Sequence, residues 1–179
     1  NDQDEASTEV RLLLDSYIRS IDIITAKELG NSLDKDAIKI YYSNADNNLR
    51  TFVHKYPNED YIKAEYIEVL HGQYGPQRAL DSMAALASKR QKALPFYLSY
   101  SAFMESELGN HELALEKAHR LKSVINDSLK SSPYATYAQI YFDMDSLKLA
   151  KDYIDKTLKI EPNHVIAKRL KVKIDDALN

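Results

Sequence analysis

The chain has 179 residues, 44% of them apolar and 28% charged, which is enough material for a hydrophobic core and excludes a disordered polypeptide. Four Gly and five Pro supply too few turns for an all-β sandwich, and the absence of Cys removes disulfides, iron–sulfur clusters and thiol catalysis. The net charge of −3, from 24 Lys+Arg against 27 Asp+Glu mixed along the chain, creates no field that would draw it to nucleic acid.

The opening Asn1-Asp2-Gln3-Asp4-Glu5 reads as a disordered acidic tail over residues 1–6. With no initiator Met it reads as a processed or trimmed piece, so the lack of a signal peptide carries nothing about export. The compartment, cytoplasm or periplasm, stays open. No apolar run approaches the roughly 18 residues of a membrane span, so no membrane insertion of this segment is expected.

Val10, Leu13, Leu14, Tyr17, Ile18, Ile21 and Ile24 recur at helical spacing until Gly30-Asn31. A second stripe, Ile38, Tyr41, Tyr42, Ala45, Leu49, Phe52 and Val53, runs to Lys55-Tyr56-Pro57, where proline ends the hydrogen-bond ladder. These two helices predict an N-terminal hairpin or degenerate repeat over 7–57. Asn58-Glu59-Asp60 offers a cap and two carboxylates to the next helix, with Ile62, Tyr66, Ile67 and Leu70 on one face. After Gly72 to Pro76, Ala79, Leu80, Met83 and Leu86 form its partner, which completes a unit over 58–94. Pro95 opens a helix through Tyr97, Leu98, Ala102 and Leu108 to Gly109-Asn110, and Leu113, Ala114, Ala118, Leu121 and Val124 pair with it over 95–130. Ser132-Pro133 starts the helix of Tyr134, Tyr137, Ala138 and Tyr141, and Asp145 is expected to cap its partner, Leu147 to Ile160, within 131–163. Ile166, Leu170 and Ile174 then form a capping helix over 164–179 with a polar outer face.

Ala45, Ala79, Ala114 and Ala150 occupy matching positions at separations of 34, 35 and 36 residues. A small residue at that period lets helix pairs stack closely, so the chain is expected to be a repeat array. Tyr134, Ala138, Tyr141, Ala150 and Pro162, with the exit Leu158-Lys159-Ile160-Glu161-Pro162-Asn163, resemble the tetratricopeptide repeat in order and spacing. The units around Ala79 and Ala114 depart from that pattern, with Lys63 in place of an early large residue and Glu105 in place of a tyrosine or leucine. The resemblance covers residues 26–179 and weakens toward the N-terminus. It implies an all-α, right-handed superhelical array of antiparallel helix pairs with a C-terminal capping helix, whose first helices line a concave groove for a protein or peptide ligand.

Carried onto this sequence, the resemblance places Tyr61, Glu68 and His71 beside Phe96, Tyr100 and Phe103, and these beside Gln139 and Phe142. Rigid aromatics on such a face give large contact area at low entropy cost. The competing account is that several of them are core residues between helices. The cationic clamp by which some relatives hold a chaperone tail is missing, because its positions hold Ala64, Glu68, Tyr100, Ser99 and Thr136.

No metal site is expected. His111 and His119 are separated by eight residues, whereas two ligands on one helix face need three or four. No phosphate loop, nucleophile elbow or cofactor motif is present, and no enzyme is expected. Lys168, Arg169, Lys171 and Lys173 give the last helix a basic side that suits an acidic partner or simply solubilises the end of the array. Asn126-Asp127-Ser128 fits a glycosylation acceptor. The chain therefore reads as a non-catalytic scaffold for protein–protein interaction. The alternative is a ligand-responsive or oligomerising input segment of a larger signalling protein, and homo-oligomerisation stays open.

Overall fold

Helical periodicity carries through to the structure, a computed structural model that describes residues 35–125 and 130–178, with side chains from residue 42 onward. Eight α-helices occur among the described residues: α1 (Lys35–Lys55), α2 (Asp60–Tyr74), α3 (Pro76–Leu86), α4 (Pro95–Glu107), α5 (His111–Val124), α6 (Ser132–Asp143), α7 (Leu147–Ile160) and α8 (Val165–Leu178). A 3-10 turn, Gln91–Ala93, precedes α4, and no strand occurs among the described residues. The acidic tail, the expected helix from Val10 to Ile24 and the Asn126-Asp127-Ser128 triplet lie outside them.

The chain divides into two compact units between Leu86 and Ala87. In the first, α2 packs on α1 and α3 around Leu49, Val53, Ile62, Ile67 and Leu70. A polar network stitches α1 to α2. Buried Asp46 takes two bonds from Arg50 Nη2 at 2.9 and 2.8 Å and one from the Tyr74 hydroxyl at 3.0 Å, while Arg50 Nε reaches the Tyr66 hydroxyl at 3.3 Å. Burial pushes the Tyr66 phenol up against the opposing bond from Arg50, and the bond to Asp46 pushes up that of Tyr74. Gly72 lets the Tyr42 ring lie close against α2, since a Cβ there would stand 2.6 Å from the Tyr42 hydroxyl and the ring would have to shift. Lys63, out of place by the repeat pattern, is buried and donates to the Leu86 carbonyl at 2.7 Å, which satisfies an end carbonyl of α3 where a cation also suits the helix dipole.

In the second unit α4 pairs with α5, α6 with α7, and α6 also packs on α4 and α5. Ala102, Ala114 and Ala118 form one core with Tyr137 and Ile140. Ala138 and Ala150 form the next with Ile154, Ala167, Leu170 and Ile174, so α8 closes that core against α6 and α7. All four alanines of the ladder are buried, Ala45 at 1% exposure and Ala79, Ala114 and Ala150 at 0%. Removing Ile154, Leu170 or Ile174 from water contributes about 1.5–3 kcal/mol each.

The hairpin turns repeat in detail. At the end of α4, Gly109 N donates to Ser106 O and Asn110 N to Glu105 O, both at 2.9 Å, the pair of backbone bonds of a Schellman motif. At the end of α6, Asp145 N donates to Phe142 O at 2.9 Å and Ser146 N to Tyr141 O at 2.8 Å. Gly109 has φ +82°, and Asp145 takes the same left-handed position at φ +57°. Asp145 therefore terminates α6 instead of capping α7, a correction to the sequence reading. Ser146 stands before α7, and its side chain makes no capping bond.

Other expected caps also shift. Glu59, not Asn58, precedes α2, and it makes no side-chain cap bond. Ser131 precedes α6 and spends its hydroxyl on Glu161 Oε2 at 2.6 Å. His164 precedes α8, and its Nδ1 accepts the Ala167 amide at 3.3 Å.

Candidate functional site

The expected groove residues lie on three helices. Tyr61, Glu68 and His71 lie on α2 in the first unit, with Tyr61 and Glu68 exposed and His71 half-buried. Phe96, Tyr100 and Phe103 on α4, and Gln139 and Phe142 on α6, are half-buried in the second unit. Spacings of four and three residues bring Phe96, Tyr100 and Phe103 to one side of α4. The Phe96 ring stacks on Tyr100 with centroids 5.4 Å apart and meets Tyr97 edge-on at 5.5 Å. Phe142 packs against the core that α8 closes.

What joins α4 to α6 is polar. The Thr136 hydroxyl donates to Ser132 O at 2.9 Å, so its lone pair accepts from Ser99 Oγ, also at 2.9 Å. Two helical turns on, Ser106 Oγ donates to Asp143 Oδ2 at 2.6 Å, and Gln139 Nε2 donates to Asp143 Oδ1 at 2.8 Å. Both cross-helix bonds link residues 37 apart, which requires α4 and α6 to run parallel in a fixed register. Thr136 is fully buried and committed. Sequence reasoning missed Ser106 and Asp143. The available signal was a pair of small hydroxyl side chains seven residues apart on α4, Ser99 and Ser106, facing Thr136 and Asp143 with the same separation on α6.

Between α4 and α5 lies a buried ionic group. Glu105 Oε1 accepts from Lys117 Nζ at 2.6 Å and Oε2 from Asn110 Nδ2 at 2.9 Å. Burial raises the carboxyl's pKa, but the bonds from Lys117 and Asn110 outweigh it and hold the group below the usual carboxylate range. Between α6 and α7, Tyr153 stacks on Tyr137 at 5.0 Å, Tyr141 at 5.5 Å and Tyr134 at 6.4 Å. His119 of α5 meets Tyr137 edge-on at 5.4 Å, and Lys156 Nζ lies 4.6 Å from the Tyr153 centroid. Burial first, then the neighbouring phenols Tyr153 and Tyr141, push Tyr137 up to about 12.

Chemically reactive groupings are sparse. Among the described residues no three His, Cys, Asp or Glu side chains come together as a metal site. His54 and His119 bond to the carbonyls of Arg50 and Leu115 at 2.7 and 2.6 Å within their own helices. An open hollow of about 730 Å³ at the α4–α5 turn is lined by Gly109, Asn110, His111, Glu112, Leu113 and Glu116, away from the aromatic side of α4. No helix among the described residues is long and apolar enough to cross a membrane. No family model, curated protein or solved structure matches this chain.

Proposed function

We propose that this chain is a non-catalytic scaffold of the tetratricopeptide type, a right-handed superhelical stack of helix pairs, which holds a protein or peptide segment against its first helices. The single observation that carries this reading is the parallel alignment of α4 and α6 by the Ser99–Thr136 and Ser106–Asp143 bonds. Helices aligned side by side in this way present their side chains as adjoining ridges, with the Phe96–Tyr100 stack and Phe103 on one and Gln139 and Phe142 on the other. Half-buried rings suit such a role, because they are already ordered and lose little entropy when a ligand covers what remains exposed. The buried ionic group and the phenol stack sit between the helices of their own hairpins, which suits packing better than turnover.

A photo-reactive side chain placed at Phe103 or Gln139 tests this. In extract of the native cell it should capture a protein that the same group at Glu116 on α5 does not. Equal capture from both faces defeats the proposal. Phe103→Ala should weaken binding of the captured partner by about 2 kcal/mol if Phe103 anchors it. A fall in melting temperature that accounts for all of that loss would assign the ring to packing alone.

A further inference from the structure

The helix α8 meets α6 and α7 as α6 meets α4 and α5, yet no second helix pairs with it among the described residues. Its buried side is Ala167, Leu170 and Ile174. Along the middle of the opposite side run Val165, Arg169, Val172 and Asp176 at i, i+4, i+7 and i+11, with Ile166 and Lys173 on one flank and Lys168 on the other. Val165 and Val172 are each 61% exposed and Ile166 43%, unusual openness for three branched apolar side chains on one short helix. Arg169 and Lys173 form no ion pair among the described residues. Lys168 bonds only the Asn163 amide oxygen, at 2.8 Å, while Lys171 and Lys151 are both committed to Asp175.

We infer that this outer face of α8 is a second docking surface, and that its occupant is an acidic amphipathic helix of a partner protein. Valines one heptad apart offer a seam for apolar knobs, and the unpaired cations beside it select carboxylates flanking that seam. The charge pattern disfavours a second copy, because each outer face carries three cations, Lys168, Arg169 and Lys173, against one carboxylate, Asp176, so two such faces repel on balance. An anionic bilayer fits less well, since the face carries no aromatic residue to seat in an interface. This surface is distinct in place and chemistry from the aromatic side of α4.

The test uses the full chain and a fluorescent synthetic helix with leucines at its heptad seam and glutamates on both flanks. A second peptide carries lysines in place of the glutamates, and phosphatidylserine vesicles form a third arm. The acidic peptide should bind saturably and more weakly as salt rises, and the lysine peptide and vesicles should not bind. Val172→Asp, and separately Arg169→Glu with Lys173→Glu, should each weaken the acidic peptide about tenfold or more, with the melting temperature unchanged because these side chains are exposed. Three outcomes overturn the inference: no saturable binding of the acidic peptide, equal binding of both peptides, or vesicle binding that the same substitutions abolish.

Discussion

The hairpins α4–α5 and α6–α7 fill the same slot with opposite chemistry. Glu105 and Lys117 face each other across the first at 2.6 Å, and the residues 36 further along the chain, Tyr141 and Tyr153, stack across the second at 5.5 Å with planes 15° apart. Around both slots the framework is shared, with buried alanines at Ala114 and Ala150 and the same pair of backbone bonds closing the turn. Register is therefore set by small residues and turns, and the slot takes any pair that fills it and satisfies its polar atoms. An ion pair achieves this with hydrogen bonds, and a phenol pair with area.

The largest effect should come from Lys117→Ala, which leaves Glu105 buried with only Asn110 as a partner and should cost about 3 kcal/mol in urea unfolding. Glu105→Tyr with Lys117→Tyr imports the neighbouring solution and should cost less than either single change. If the double variant is instead the least stable, the two slots are not equivalent. The acid limb sharpens the same point. The folded-state pKa of Glu105 is lowered, so its contribution is present above the unfolded value and is lost as pH falls through the folded one. Wild type should lose more stability below about pH 4 than the double variant.

Overpacking tests the shared framework directly. Ala114→Leu or Ala150→Leu should cost about 1–3 kcal/mol, while Ala177→Leu on the exposed side of α8 should be nearly neutral. Equal tolerance at all three would break the comparison. At the other end of the pH scale the phenol hairpin is the vulnerable one. Tyr137 is raised to about 12 in the fold, so its contribution is complete below the unfolded value of about 10 and disappears as pH climbs through the folded one. Stability should fall by up to about 2 kcal/mol between those limits, and Tyr137→Phe should flatten the fall.

The smallest effects concern the turns, and they carry opposite signs. Gly109→Ala forces a side chain into a left-handed conformation with open space around it, and should cost about 1 kcal/mol. Asp145→Gly relieves the same strain one hairpin later and should gain about 0.5 kcal/mol in a thermal melt.

Much of this was legible from the chain. Apolar spacing placed the helices, prolines marked several of their ends, and the alanine ladder marked residues that prove fully buried. Asp145 misled because a three-residue connection must end one helix and begin the next, and Asp suits both tasks. The segment before α4 also carries a signal in its sequence. Ser88 and Gln91 bond each other reciprocally, Ser88 N to Gln91 Oε1 at 2.8 Å and Gln91 N to Ser88 Oγ at 3.2 Å, the arrangement a Ser-x-x-Gln sequence announces. Lys63 and Glu105 looked like departures from a repeat, since sequence alone does not reveal the Leu86 carbonyl or the Lys117 ammonium that satisfies each. That Phe96, Tyr100 and Phe103 share one helix, and Gln139 and Phe142 another, could be read in advance from the apolar spacing. The hydroxyl and carboxylate contacts between α4 and α6 could not, because they depend on a register that the turns set.

Those contacts have a mechanical meaning. Ser99–Thr136 and Ser106–Asp143 are pins about 10 Å apart along one line, the rise of seven helical residues. Two pins on a line oppose slip of one helix past the other and oppose scissoring, while they resist rotation about the line itself far less. The second unit is thus stiff in shear along this line, and rotation about it is opposed separately, by the buried core that Tyr137 and Ile140 of α6 share with Ala102, Ala114 and Ala118.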